Sequence, residues 1–160
     1  MQVFQADLTR LPLDLRARSF DHVMMNPPFF PTGTPSPDAA RAGARHEETP
    51  LPDWFDAALR RLKPGGQVTV IHLAQRLDGL LASLAGRAGD IAVLPIAARS
   101  GRDAGRVIVQ ARKGARGALR LLAPFIMHNG DAHLRDAENL SEKAQAVLRQ
   151  AVALPLHGAD

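Results

Sequence analysis

Cysteine is missing from the sequence altogether. Disulfides and thiolate metal sites are therefore excluded, and a cysteine-free chain says little about redox compartment. Long apolar runs are also lacking. None approaches the ~18 residues that a membrane-spanning helix needs, so no integral membrane protein is expected. The opening residues, MQVFQADLTR, do not have the basic-then-apolar layout of a secretory signal. The cytoplasm is the default expectation. Lysine is scarce: it occurs only at Lys63, Lys113 and Lys143, so 17 of the 20 basic residues are arginine. Guanidinium forks suit phosphate recognition. Codon usage in a GC-rich genome yields the same excess without any functional demand.

What remains is close to an ordinary globular chain. Of 160 residues, 46% are hydrophobic and 22% charged, which excludes a wholly disordered chain. The length suits one domain with a real core. A formal charge of +4 permits a nucleic-acid partner but does not establish one.

Along the chain, Val3 to Ala6 is a short apolar piece ending at Asp7. The run Phe20 to Met25 (FDHVMM) reads as a short buried strand. It meets Asn26-Pro27-Pro28-Phe29, and a proline pair cannot continue a ladder. Residues 30 to 52 are punctuated by Pro31, Gly33, Pro35, Pro37, Gly43, Pro50 and Pro52, which predicts a long loop. Asp53 to Lys63 has helical spacing of Phe55, Leu59 and Leu62, with acids early and bases late. Gln67 to Leu73 reads as a strand. Leu77 to Leu84 reads as a helix. Ile91 to Ile96 and Arg106 to Arg112 read as two strands that pair antiparallel through the intervening loop. Leu119 to Met127 reads as extended. A last helix is expected near Asn139, with Glu142 completing a capping box and Ala144, Val147, Leu148 and Ala151 as its buried stripe. Strands alternating with helices imply an α/β fold with a largely parallel sheet.

The informative element is Asn26-Pro27-Pro28-Phe29. Ligands of open α/β sheets bind at the carboxyl ends of strands, where this Asn is expected. Each proline ring locks its own φ and restricts the residue before it. The Asn26 amide oxygen and the Pro27 carbonyl are thereby held as two fixed acceptors. Together they can receive both hydrogens of an exocyclic amine, while Phe29 can stack on the ring that carries it. Amino-group methylation needs such a grip, because the nitrogen lone pair is delocalised into the ring and must be drawn out of it. Proximity and alignment supply the rest. A plain turn closing a strand is the alternative reading of these four residues.

A strand followed by Asn-Pro-Pro-aromatic resembles the signature of S-adenosylmethionine-dependent amino methyltransferases. The flanks HEETPLPDWFDAALRRLKPGGQVTVIHLAQRL and GDIAVLPIAARSGRDAGRVIVQARKG are similar to the bacterial valine-tRNA (adenine-N6)-methyltransferase family. The resemblance runs from about Gln5 to Arg149. It implies a Rossmann-like class I methyltransferase fold, mostly parallel, with a terminal antiparallel hairpin. It implies S-adenosylmethionine as cofactor and RNA, in particular tRNA, as partner. It assigns the catalytic element to Asn26, Pro27, Pro28 and Phe29, and the cofactor contacts to Asp7, Leu8 and Asn26. No metal is implied. The same motif also serves ribosomal guanine N2 and protein glutamine amides. Glutamine-directed relatives usually have Tyr where this chain has Phe29, which favours a base. A non-catalytic RNA-binding remnant is a further alternative.

One family feature is lacking: a strand and Gly-rich turn ahead of the motif. Gly65-Gly66 follows a helix and enters a strand, the wrong order for that cradle. The resemblance therefore implies a single partial domain over 1–160, from about the third strand onward. It leaves a sheet edge open to self-association. Asp7 is equally readable as a local cap. Phe30, His46, Arg99, Arg102 and Lys113 are candidate substrate contacts, the basic ones with Arg106, Arg112 and Arg116 as a phosphate strip. A solvated charged surface is the alternative for these. His46-Glu47-Glu48 is a poor metal set, and His72 reads as a core histidine. The chain alone is expected to bind S-adenosylmethionine weakly or not at all. Calorimetry checks this, and a micromolar affinity would overturn it.

Overall fold

The computed structural model describes residues 1–28, 49–130, 139–154 and 156. Its elements are α1 (Leu13–Arg16), β1 (Phe20–Met25), α2 (Leu51–Arg61), β2 (Leu62–Leu73), α3 (Leu77–Leu84), β3 (Ala88–Ala97), β4 (Ala104–Lys113), β5 (Arg120–Leu121), β6 (Phe125–Ile126) and α4 (Glu142–Gln150). A 3-10 turn spans Leu8–Arg10. Residues 1–7 are exposed and join no strand, so the apolar piece Val3 to Ala6 is not part of the described sheet. Among the described residues no helix is long and apolar enough to cross a membrane.

β1 stops at Met25, where the prolines begin. β1 and β2 pair in parallel, with Val23 across from Val68 and Met25 across from Val70. A parallel pair needs a long crossover, and α2 lies within it. α2 starts at Leu51 rather than Asp53, because Pro52 sits in the first turn, where a missing N–H costs nothing. It ends at Arg61, because Leu62 turns extended and pairs with Phe20. The Pro64-Gly65-Gly66 stretch then forms an irregularity in the β1–β2 register, with Gly65 at φ +75°.

β2 pairs antiparallel with β4, and β4 pairs antiparallel with β3. β5 and β6 add in parallel to β3. The sheet order is β1-β2-β4-β3-β5, with β6 also on β3. The expected antiparallel hairpin is therefore present, and its second strand is inserted between β2 and β3. That position suits β4, whose Val107, Val109 and Ala111 are all buried. β1 lies at the sheet's edge, and its outer side pairs with no described strand.

Helices α2 and α3 cover one face of the sheet. Phe55, Ala58, Leu59, Leu80 and Leu84 pack there on Val68, Val70, Val93, Val107 and Val109. Alternation along β2 puts Val68, Val70 and His72 on this face and Thr69 and Ile71 on the other. α4 departs from expectation at its start and along its stripe. Its cap is Ser141, not Asn139: the Ser141 hydroxyl accepts from the Ala144 amide (3.1 Å) and donates to the Ile126 carbonyl (2.7 Å). Ala144 is fully buried, whereas Leu148 is 60% exposed. Ala151 is exposed and closes the helix in the left-handed conformation.

Phe55 has no exposed surface. Truncation to alanine removes its burial and leaves a cavity, so Phe55→Ala should cost about 3–5 kcal/mol. Leu148→Ala should stay within about 0.5 kcal/mol. Denaturant unfolding of both variants checks this, and comparable losses would contradict the placement of the core.

Candidate active site

β1 and β2 run in the same direction, so their carboxyl ends lie together. Arg106 at the start of β4 is across from Leu73 and from Ile96, which brings the β3–β4 connection to that same end. Asn26-Pro27-Pro28 emerges here. Met25 and Pro27 are buried, while Asn26 is exposed. The Asn26 amide makes no side-chain hydrogen bond to another described residue. The motif thus has an anchored stem and an unengaged amide tip, as an amine grip requires. Phe29, Phe30 and His46 lie outside the described residues.

A buried histidine stands two residues beyond Val70, the partner of Met25. His72, on β2, is 4% exposed. Its Nδ1 accepts from the Leu73 amide at 2.9 Å. Nδ1 being an acceptor, the proton resides on Nε2. The imidazole pKa is held below its ordinary value, first by burial and then by the positive charge of Arg76. The backbone groups of Pro28 and Leu73 act in the opposite sense without reversing it. The sequence reading of His72 as a satisfied core histidine was right about burial.

Asp7 serves as a local cap. One carboxylate oxygen accepts from both the Thr9 amide and the Thr9 hydroxyl, each at 2.8 Å. These bonds, the hydroxyl first, keep its pKa below the usual carboxylate range. Leu8 is half-buried. A capping carboxylate retains a second oxygen, so Asp7 can still face an adenine amine. Toward S-adenosylmethionine the described residues fit in part. Asn26 is unengaged at a strand end and Asp7 keeps one oxygen. No glycine-rich strand-to-helix turn for the methionine end stands among the described residues.

The proposed basic strip does not form one surface. Arg99 is 8% exposed, and its Nη1 donates to the carbonyls of Asn129 (2.6 Å) and Gly130 (2.7 Å). This is a correction: Arg99 ties the 129–130 bend to the end of β3 and does not face a solvated phosphate. Lys113 is corrected too. It donates to the Leu62 carbonyl at 2.7 Å. It follows Arg112, which is across from Gln67, at the opposite end of the sheet from Asn26. The separation along β2 is roughly 15 Å at 3.3 Å per residue. Arg112 belongs with it, near Asp90 (3.6 Å) and bonded to the Gly65 carbonyl (3.1 Å). Arg102 is exposed and shares the Asn26 end.

The lowered pKa of His72 has a consequence for stability. The unfolded chain takes up this proton near the ordinary 6.5, and the folded protein only at lower pH. Between those values the unfolded state binds more protons, so acidification favours unfolding. Stability should begin to fall as pH drops through the ordinary 6.5, and His72→Leu should remove that part of the fall. Denaturant unfolding at several pH values checks it. Curves of identical pH dependence for the two proteins would show that His72 does not contribute.

No protein-family model matches the chain. Curated relatives do, all carrying the name tRNA1(Val) (adenine(37)-N6)-methyltransferase. That of Porphyromonas gingivalis is 42% identical over 62 residues, 38% of this chain and 24% of the relative. That of Dickeya chrysanthemi is 30% identical over 127 residues, 77% of this chain and 49% of the relative. The chain thus spans from about a quarter to half the length of these curated relatives. A solved structure from Agrobacterium tumefaciens, described as a predicted O-methyltransferase, superposes with a TM-score of 0.66 at 28% identity. The match covers 89% of this chain and 60% of that one. By fold the chain is Rossmann-like, and by sequence it is a relative of the tRNA1(Val) adenine-N6 methyltransferases over part of their length.

Proposed function

We propose that this chain carries the amine-gripping part of an S-adenosylmethionine-dependent methyltransferase acting on N6 of adenine in tRNA. The observation that supports this reading most is the exposed Asn26, whose amide bonds no other described residue, on a proline-braced stem at the carboxyl end of β1. The names of the relatives favour tRNA as the substrate, and position 37 of tRNA1(Val) is the first site to examine.

In this reading the target adenine is swung out of its loop before it enters the site. Its amino group donates one hydrogen to the Asn26 amide oxygen and the other to the Pro27 carbonyl. Two acceptors at fixed positions draw the nitrogen towards tetrahedral geometry and turn its lone pair out of the ring plane. Phe29 stacks on the base and sets its depth. When bound, S-adenosylmethionine supplies an electrophilic methyl group on a sulfonium. Asn26 on its free side, and Asp7 through its second oxygen, are the residues of this chain that would face it. No strong base is needed, because the amine proton becomes acidic once nitrogen has accepted carbon, and water can remove it. Arg102 at the same sheet end is the remaining candidate for a backbone phosphate.

Asn26→Ala introduced into the chromosomal gene should abolish the corresponding N6-methyladenine in tRNA. It should leave the fold almost unchanged, since the side chain is exposed. Nucleoside mass spectrometry of purified tRNA measures the first point, and thermal unfolding of the purified variant the second. Unaltered tRNA methylation would overturn the assignment. Loss of methylated guanine from ribosomal RNA, or of methylglutamine from protein, would move the site to another acceptor. No change in any of these would leave a non-catalytic RNA-binding role.

A further inference from the structure

We propose that the outer edge of β1 docks a second copy of this chain, the two β1 strands pairing antiparallel about a two-fold axis at His22. Such pairing does not depend on the methyltransferase reading.

The edge is open and unguarded. β1 pairs with β2 on one side only. Among the described residues, no backbone hydrogen bond outside that ladder involves any residue from Phe20 to Met25. The outward N–H and C=O groups are thus left to water or to another strand. Sheets blunt such edges with lysine, proline, a bulge or an unpaired charge. β1 uses none of these. Its prolines begin at Pro27, past the end of the strand. The register irregularity puts its extra residues in β2, so β1 itself stays regular. Its one charged residue, Asp21, is matched by Lys63 at 2.9 Å. Met24 is 83% exposed, a large apolar side chain on the face away from α2 and α3.

The described part of the chain does not fill this edge by itself. Its extended N-terminal piece is held elsewhere: Arg18 Nη1 donates to the Gln2 side chain at 2.6 Å, and the Arg18 guanidinium lies 5.6 Å from the centre of the Phe4 ring. A second copy brings the same open edge at the same concentration. Two identical strands meet about a two-fold axis as an antiparallel pair. Directly opposite residues then share a face. Val23 and Met25 face the helices, so alternation puts Phe20, His22 and Met24 on the other face. Two registers respect these faces and pair five of the six residues of β1. Centring on Val23 sets the Asp21 carboxylate against Met25 and draws Asn26 against Phe20. Centring on His22 sets Phe20 against Met24 twice, an aromatic ring on a thioether, which is a favourable contact. The second register covers Met24 in both copies and stops short of Asn26, whose amide stays exposed. It also continues the sheet across the axis with both helix layers on one side. A strand edge buries less than the ~1,200 Å² of a stable interface, so the dimer is weak and depends on concentration.

The test exploits the absence of cysteine, since a single introduced thiol reports the register. His22→Cys places two thiols directly across the axis, within the roughly 4.4–6.8 Å between Cα atoms that a disulfide spans. Met24→Cys places them four residues apart, about 13 Å at 3.3 Å per residue. Mild oxidation of the full chain at about 0.5 mM, a concentration suited to a small interface, should link His22→Cys into dimers and leave Met24→Cys monomeric. Sedimentation equilibrium of the unaltered chain should show the mass doubling between about 1 µM and about 1 mM. His22→Asp sets two carboxylates face to face and should weaken association roughly tenfold or more. Its circular dichroism should not change, because residue 22 is exposed. A monomer at every concentration overturns the pairing and leaves the edge to a strand of another polypeptide. Equal cross-linking of the two cysteine variants overturns it too, as does association that His22→Asp does not weaken. If His22→Asp does not fold, the cysteine pair decides.

Discussion

A strand that runs out of hydrogen-bond donors is the constraint on which the site depends. β1 pairs with β2 as far as Met25 and Val70, and two prolines then make further pairing impossible. Whatever follows must be anchored by side chains. Burial of Met25 and Pro27 meets that need. The outcome is a short, stiff projection at the carboxyl end of a strand, where α/β sheets place their ligands. Among the described residues the exposed Asn26 has no side-chain hydrogen bond of its own, and this stiffness holds it.

The two ends of the sheet divide the labour of the charged residues. At the end away from Asn26, Lys63 pairs with Asp21 (2.9 Å), Lys113 bonds the Leu62 carbonyl and Arg112 lies beside Asp90. These are ties across the start of β2 and the end of β4, near the Pro64-Gly65-Gly66 irregularity. The exposed ion pairs among them contribute little each, while the carbonyl bonds satisfy groups that the irregular ladder leaves over. At the Asn26 end, Arg99 does similar work inside the fold by holding Asn129 and Gly130. An arginine-rich composition therefore overstates the surface open to phosphate, because several of these cations are already bonded to backbone.

Local signals were read well from sequence wherever they were strong. FDHVMM followed by two prolines marks both ends of β1. The spacing of Phe55, Leu59 and Leu62 marks the buried face of α2, and the β3–β4 hairpin follows from two apolar runs joined by a Gly-containing loop. Boundaries slipped where a weak local rule met a stronger contact. Asn139 lost the cap of α4 to Ser141, whose hydroxyl also reaches the Ile126 carbonyl. Leu148 fits a helical stripe, yet nothing in the described fold covers it. The strip of Arg99, Arg102 and Lys113 looked plausible because proximity in sequence was taken for proximity in space. β4 carries the chain across the whole sheet between them.

By itself the sequence determined the covalent character of the proposed site: an amide and a carbonyl on a stem that prolines make rigid, properties that need no partner. It also determined the α/β class, since hydrophobic periodicity is local. Only the tertiary structure decided the rest. The insertion of β4 between β2 and β3 and the burial of Arg99 and His72 all depend on strand register. Register is set by the packing of whole faces and by an irregularity around Gly65, and no window of sequence contains both sides of those contacts.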